Sequence, residues 1–83
     1  SLKKIESKKL RFKYDNDFRA LELISDFIQN MEYTIYDVSG KLIIKSDFSE
    51  HRKFIDCSGF NNGIYLIKYS HSLQSQYFKF VIY

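Results

Sequence analysis

The 83-residue sequence has no proline, no tryptophan, three glycines, one cysteine and one methionine. Each scarcity excludes something. A lone cysteine cannot close an internal disulfide, so this is no disulfide-stapled scaffold, and cysteine usage leaves the redox compartment open. Without proline and with little glycine, collagen-like and polyproline structures are excluded. No stretch approaches the roughly 18 consecutive apolar residues of a membrane-spanning helix. With 45% hydrophobic and 28% charged residues, the composition is that of a globular domain, not of a disordered chain or coiled coil. A chain this short supports one domain that buries about 60–65% of its unfolded surface. It starts at Ser1 and carries no signal peptide, so we read it as a piece of a longer chain whose targeting segment would lie upstream.

What the sequence has in quantity is aromatic side chains, eight Phe and seven Tyr. Together with β-branched residues they indicate sheet structure. The net charge of +3 is unevenly spread: residues 1–13 hold six Lys or Arg against Glu6, whereas the other 70 residues hold seven against nine acids. The basic excess therefore belongs to an arm at residues 1–8 and to the first strand. A nucleic-acid interface would instead need cations gathered on one folded face, so no nucleic-acid partner is expected. Cys57 follows Ile55 by two positions and reads as a small buried hydrophobe. A thiol nucleophile needs a base beside it, and His51 and His71 both stand in polar, loop-like stretches.

Alternation of apolar and polar residues is the main structural signal. It runs through Lys9–Tyr14, Leu21–Leu23 and Tyr77–Ile82; Tyr33–Tyr36 is β-branched and aromatic, Leu42–Ile44 follows after a short turn, Arg52–Cys57 is a further strand, and Ile64–Tyr69 is apolar on both faces, as a central strand would be. Asp37-Val38-Ser39-Gly40 has Asp first and Gly fourth, the pattern of a type I turn, and predicts a hairpin between the strands on either side. Breaks every 8–12 residues or so are the spacing of a sandwich. The fold expected is all-β: a seven-stranded antiparallel, immunoglobulin-like β-sandwich over residues 9–83, preceded by the basic linker arm at 1–8. Its inward sets are Leu10 and Phe12; Leu21 and Leu23; Tyr33 and Ile35; Leu42 and Ile44; Ile55 and Cys57; Tyr65, Ile67 and Tyr69; Phe78, Phe80 and Ile82, with Phe60 plugging one end. One segment competes. Phe18, Leu21, Ile24, Ile28 and Met31 recur at helical spacing, with Asp17 as a cap. A strand is favoured there because a lone helix would interrupt an otherwise regular series.

No phosphate-binding loop, dinucleotide fingerprint, zinc-protease motif or Cys-x-x-Cys pair is present. One cysteine and two distant histidines are too few for zinc, and Asp15, Asp17 and Asp26 lack calcium-loop spacing and suit turns. Asp47, Glu50 and Asp56 read as solvated charges on a hairpin edge. Neither a metal, a cofactor nor a catalytic residue is expected, and the chain is read as a non-enzyme. Tyr33, Tyr65 and Tyr69 alternate with aliphatics and belong in the core; Tyr36 and Tyr77 fit either side.

Three blocks carry a family resemblance: Tyr33-Thr34-Ile35-Tyr36-Asp37-Val38-Ser39-Gly40-Lys41; Ile55 through Ile67, with Asn62-Gly63-Ile64-Tyr65 at its centre; and Tyr77 through Ile82. In this order they resemble the C-terminal sorting domain of the type IX (Por) secretion system of Bacteroidota. Members commonly begin with Tyr-Pro-Asn-Pro, and Tyr14-Asp15-Asn16-Asp17 stands at that place with both prolines replaced. The family also often ends in a basic residue, where this chain has Tyr83. Asp37, Gly40, Lys41, Gly63 and Tyr65 are the motif residues; Gly40, Gly63 and Tyr65 read as fold maintenance, Tyr65 as the tyrosine corner of a sandwich. The resemblance implies that Lys79, Phe80, Val81, Ile82 and Tyr83 are the element that export machinery reads. It further implies a cargo domain upstream in the same chain, export through the periplasm to the cell surface or medium, docking on the outer-membrane type IX translocon, and cleavage by a sortase-like peptidase. The basic arm is the accessible place for such a cut. An exposed strand edge is suited to pairing with a partner strand or a second copy.

Two other classes of function predict different surfaces. A carbohydrate-binding or adhesive accessory module of a surface enzyme predicts exposed, coplanar aromatics such as Tyr36, Phe48 and Tyr77. A module that only packs against its parent predicts a large apolar patch.

Overall fold

The computed structural model describes residues 10–26, 30–71 and 74–83. The arm expected at residues 1–8 and Ile28 of the competing helical pattern lie outside them, as do the side chains of Leu10 and His71. Seven strands follow in order: β1 (Leu10–Asp15), β2 (Ala20–Ser25), β3 (Met31–Asp37), β4 (Leu42–Phe48), β5 (Arg52–Asp56), β6 (Gly63–His71) and β7 (Gln74–Ile82). Each expected strand is present, and the segment with helical spacing is extended over β2 and again from Met31.

Two antiparallel sheets form, β1-β2-β5 and β4-β3-β6-β7. The chain crosses between them after β2, β4 and β5, so each sheet is built from segments separated in the sequence. Alternate residues meet between the layers: Leu21, Leu23, Tyr33, Ile35, Ile55, Cys57, Tyr65, Ile67, Tyr69, Phe80 and Ile82 are buried. Rings account for much of this interior. Phe12 of β1 lies 4.7 Å from Phe78 of β7, Tyr14 lies 5.4 Å from Phe80, and Tyr65 bridges Phe80 to Phe60 at 5.7 and 5.4 Å. These separations are in the attractive range for tilted and offset rings. They bind β1 to β7 across the sandwich, which explains why so small a domain uses so many aromatics.

One inward and one outward assignment are corrected. Leu42 is half exposed, because the register shifts between Ile35 and Tyr36: Ile35 pairs with Ile44 but Tyr36 with Leu42. Paired residues share a face, so Leu42 joins Tyr36 on the outer side, while Ile43 and Ile44 both pack against the core. Phe48, expected on a sugar-binding face, is buried against Tyr33, 6.1 Å away. Met31 is buried as well, at a strand start that the alternation did not reach.

Candidate functional site

The last strand divides its residues by face. Phe80 and Ile82 point into the core, Val81 is half-buried, and Lys79 and Tyr83 are exposed. Of the five residues assigned to partner recognition, the side chains of Phe80 and Ile82 are thus committed to packing. Lys79 and Tyr83 are the ones presented to solvent.

The end of the strand is fixed from two other places in the chain. Asn16 Oδ1 in the β1–β2 turn accepts from the Tyr83 backbone N–H at 3.2 Å. The Arg19 guanidinium donates to the Tyr83 main-chain oxygen at 3.1 Å, the Phe60 carbonyl at 3.0 Å and Asn62 Oδ1 at 3.1 Å. Its own carbonyl accepts from Cys57 N–H at 2.8 Å. Arg19 has φ of 49°, uncommon for a residue with a Cβ, and this backbone turn precedes β2. Neither Arg19 nor Asn16 was assigned a role from sequence alone. Asn16 carried a signal, since it is the asparagine retained at the Tyr-Pro-Asn-Pro position; Arg19 carried none, because its partners lie 41 to 64 residues away. Where the motif has its first proline, the Asp15 carboxylate accepts from Asp17 N–H at 2.9 Å and closes the turn as a local side-chain cap.

The motif residues also have structural work. In the β3–β4 turn the Asp37 carbonyl accepts from Gly40 N–H at 3.0 Å, and Gly40 has φ of 90°, in the region glycine favours. The Asp37 carboxylate takes the Ser39 hydroxyl at 2.6 Å and the amides of Ser39 and Lys41, each at 2.9 Å. The Ser39 hydroxyl first, then the Lys41 amide, hold this carboxyl below the ordinary carboxylate range. Asp56 is lowered in the same way, chiefly by the Ser58 amide. Gly63 opens β6 with φ of 151°. The Tyr65 hydroxyl donates to the Asn61 carbonyl at 2.7 Å, tying β6 to the loop before it as a tyrosine corner does.

Cys57 is fully buried, and burial pushes its thiol up to about 11, so the sulfur is protonated at neutral pH. Asp26, one of the acids examined for calcium, pairs with Arg11 at 3.0 Å. His51 Nδ1 lies 2.9 Å from the Ser25 carbonyl, joining the β4–β5 loop to the end of β2.

Residues far apart in sequence converge on one surface feature. A groove of about 410 Å³ on the outer side of the four-stranded sheet is bordered by Tyr36, Asp37, Val38 and Gly40 of the β3–β4 hairpin, Ile64, Tyr65 and Leu66 of β6, and Lys79 of β7. All three blocks of the sequence resemblance meet there.

The family model of the secretion system C-terminal sorting domain matches residues 15–83 of the chain. No curated protein matches it.

Proposed function

This chain belongs to the family of secretion system C-terminal sorting domains, and we propose that it acts as a folded address label read by the outer-membrane type IX translocon. Membership makes it a sorting signal for type IX secretion, implying an upstream cargo protein and delivery to the cell surface or extracellular space. The observation that carries the label reading is the treatment of the last strand: Lys79 and Tyr83 face solvent while Asn16 and Arg19 hold the Tyr83 backbone in place. A displayed, immobilised end is suited to recognition because little ordering entropy remains to be lost on docking.

Several finer points belong to the same proposal. The cargo crosses the periplasm before export, and a sortase-like peptidase cuts within the basic arm at residues 1–8, upstream of β1. The domain is substrate, not catalyst; the cap role of Asp37 and the burial of Cys57 support that reading. The sandwich is of the immunoglobulin-like kind, in keeping with its Tyr65 corner and its two-sheet strand order. Among the described residues no strand pairs with the outer edges of β7 and β4, which suits them to pairing with the translocon or a second copy.

The test fuses the chain behind a periplasmic reporter in a host that carries the system. Removing residues 79–83 would confuse recognition with folding, since Phe80 and Ile82 are core. Lys79→Ala and Tyr83→Ala leave the core intact and are expected to lower surface delivery while the melting temperature stays unchanged. A reporter that remains in the periplasm with the unaltered chain would sink the proposal.

A further inference from the structure

The outer face of the four-stranded sheet changes chemistry from one end to the other. Cross-strand partners lie on one side of a sheet, so the register sets out its rows. Ile64 and Leu66 lie toward one end, beside the groove, with Lys79 closing the row that contains Leu66. Lys45 and Lys68 flank Thr34 in the next row, and Glu32 pairs with Asp47 beyond it. Val38, Ile64 and Leu66 are 78%, 45% and 39% exposed, more apolar surface in one place than isolated residues would give. Among the described residues the ion pairs, Arg11–Asp26 and Arg52–Glu22, lie on the side of the other sheet. Lys45, Lys68 and Lys79 therefore form no ion pair among the described residues. The depression on that other sheet is about 200 Å³ and is bordered by Lys13, Asp15 and Glu22, so its acids outnumber its lysine.

We propose, resting on the sorting reading, that this groove docks an extended segment of a partner protein carrying alternating aliphatic and acidic side chains. An aliphatic side chain seats against Val38, Ile64 and Leu66, and neighbouring carboxylates meet Lys79, Lys68 and Lys45. The charges select this occupant: Lys79 in the groove, with Lys45 and Lys68 beside it, repels a basic segment, while the groove's one carboxylate, Asp37, is already taken by the Ser39 hydroxyl and the Ser39 and Lys41 amides; Lys68 also leans over the Tyr77 ring at 5.8 Å. A membrane surface fits less well. Glu32 and Asp47 share the face with the lysines and would be pressed against anionic headgroups, whereas a short segment covers only the apolar and cationic rows.

The experiment titrates the isotope-labelled chain with a capped Leu-Glu-Leu-Glu-Leu-Glu peptide and follows the amide resonances. Shifts centred on Ile64, Leu66 and Lys79, weakening as salt is raised, are expected. Lys79→Glu should lower the affinity at least about tenfold by replacing an attraction with a repulsion. Equal shifts with the Leu-Lys counterpart, no shifts at all, or preferential binding to phosphatidylglycerol vesicles would overturn the proposal. The reporter fusion separates the two readings. If the chain with Lys45 and Lys68 both changed to Glu, Lys79 being kept, retains its melting temperature and is exported normally, the groove is wrong and the sorting role stands. If the unaltered fusion is not exported, the sorting role fails, and the peptide titration still decides the groove.

Discussion

Two buried tyrosines show how differently one hydroxyl can be used. Tyr65 donates to the Asn61 carbonyl, whereas the Tyr69 hydroxyl is buried with no partner among the described residues. Tyr65→Phe should cost about 1 kcal/mol, the net worth of a hydrogen bond. Tyr69→Phe should leave stability unchanged or raise it by up to about 1 kcal/mol, because it removes a polar group that folding strips of water. Urea denaturation of both variants measures the contrast, and equal losses would contradict it. Cys57 gives a second expectation. Its thiol titrates near 11 when folded, above the roughly 8.5 of an exposed cysteine. The folded state therefore binds the proton more tightly. Its contribution to stability is complete below about pH 8.5 and declines as the pH rises towards 11. Native protein should leave a thiol reagent unconsumed at pH 8 until denaturant is added.

The β3–β4 hairpin shows what can be read from sequence and what cannot. β-Branched and aromatic residues revealed its strands, and the Asp37-to-Gly40 pattern revealed its turn; both depend on residues close together in the chain. The outward placement of Leu42 was hidden, since it follows from one residue more on β4 than on β3, a count that only pairing reveals. The same limit applies to the site. Lys79 and the motif residues were legible, but their convergence on one groove and the hold of Arg19 on Tyr83 are long-range facts with no local pattern. The turn itself can be tested. Neither Gly40 nor Gly63 has a heavy atom within 4 Å of an added Cβ, so alanine there would pay only in backbone conformation. Gly40→Ala should cost about 1 kcal/mol, and Gly63→Ala more, about 1–3 kcal/mol, by chemical denaturation. Acid should act on the same hairpin and on the loop after β5. Asp37 and Asp56 have lowered pKa values, so the stability they contribute is present above the usual carboxylate pKa of about 3.9 and is lost as the pH falls through their folded values. Asp37→Asn should blunt that acid sensitivity at the Ser39 and Lys41 amides in a hydrogen-exchange profile.

At the scale of the molecule, the family match begins at Asp15, yet β1 begins at Leu10. The strand upstream of the match supplies Phe12 and Tyr14 to the rings of β7. A chain starting at residue 15 should therefore expose Phe78 and Phe80, lose its sharp amide spectrum and self-associate, whereas one starting at residue 9 should fold as the whole does. A cut in the arm at residues 1–8 would leave every strand in place.

Asn16 and Arg19 on the one hand and Tyr83 on the other are 64 or more residues apart, and their meeting requires everything between them to have been assembled. On the label reading proposed above, the mark carried by the last strand is consequently self-authenticating. A half-assembled copy has the same final letters but does not hold them in the legible position, so inspection of that strand would double as inspection of the whole.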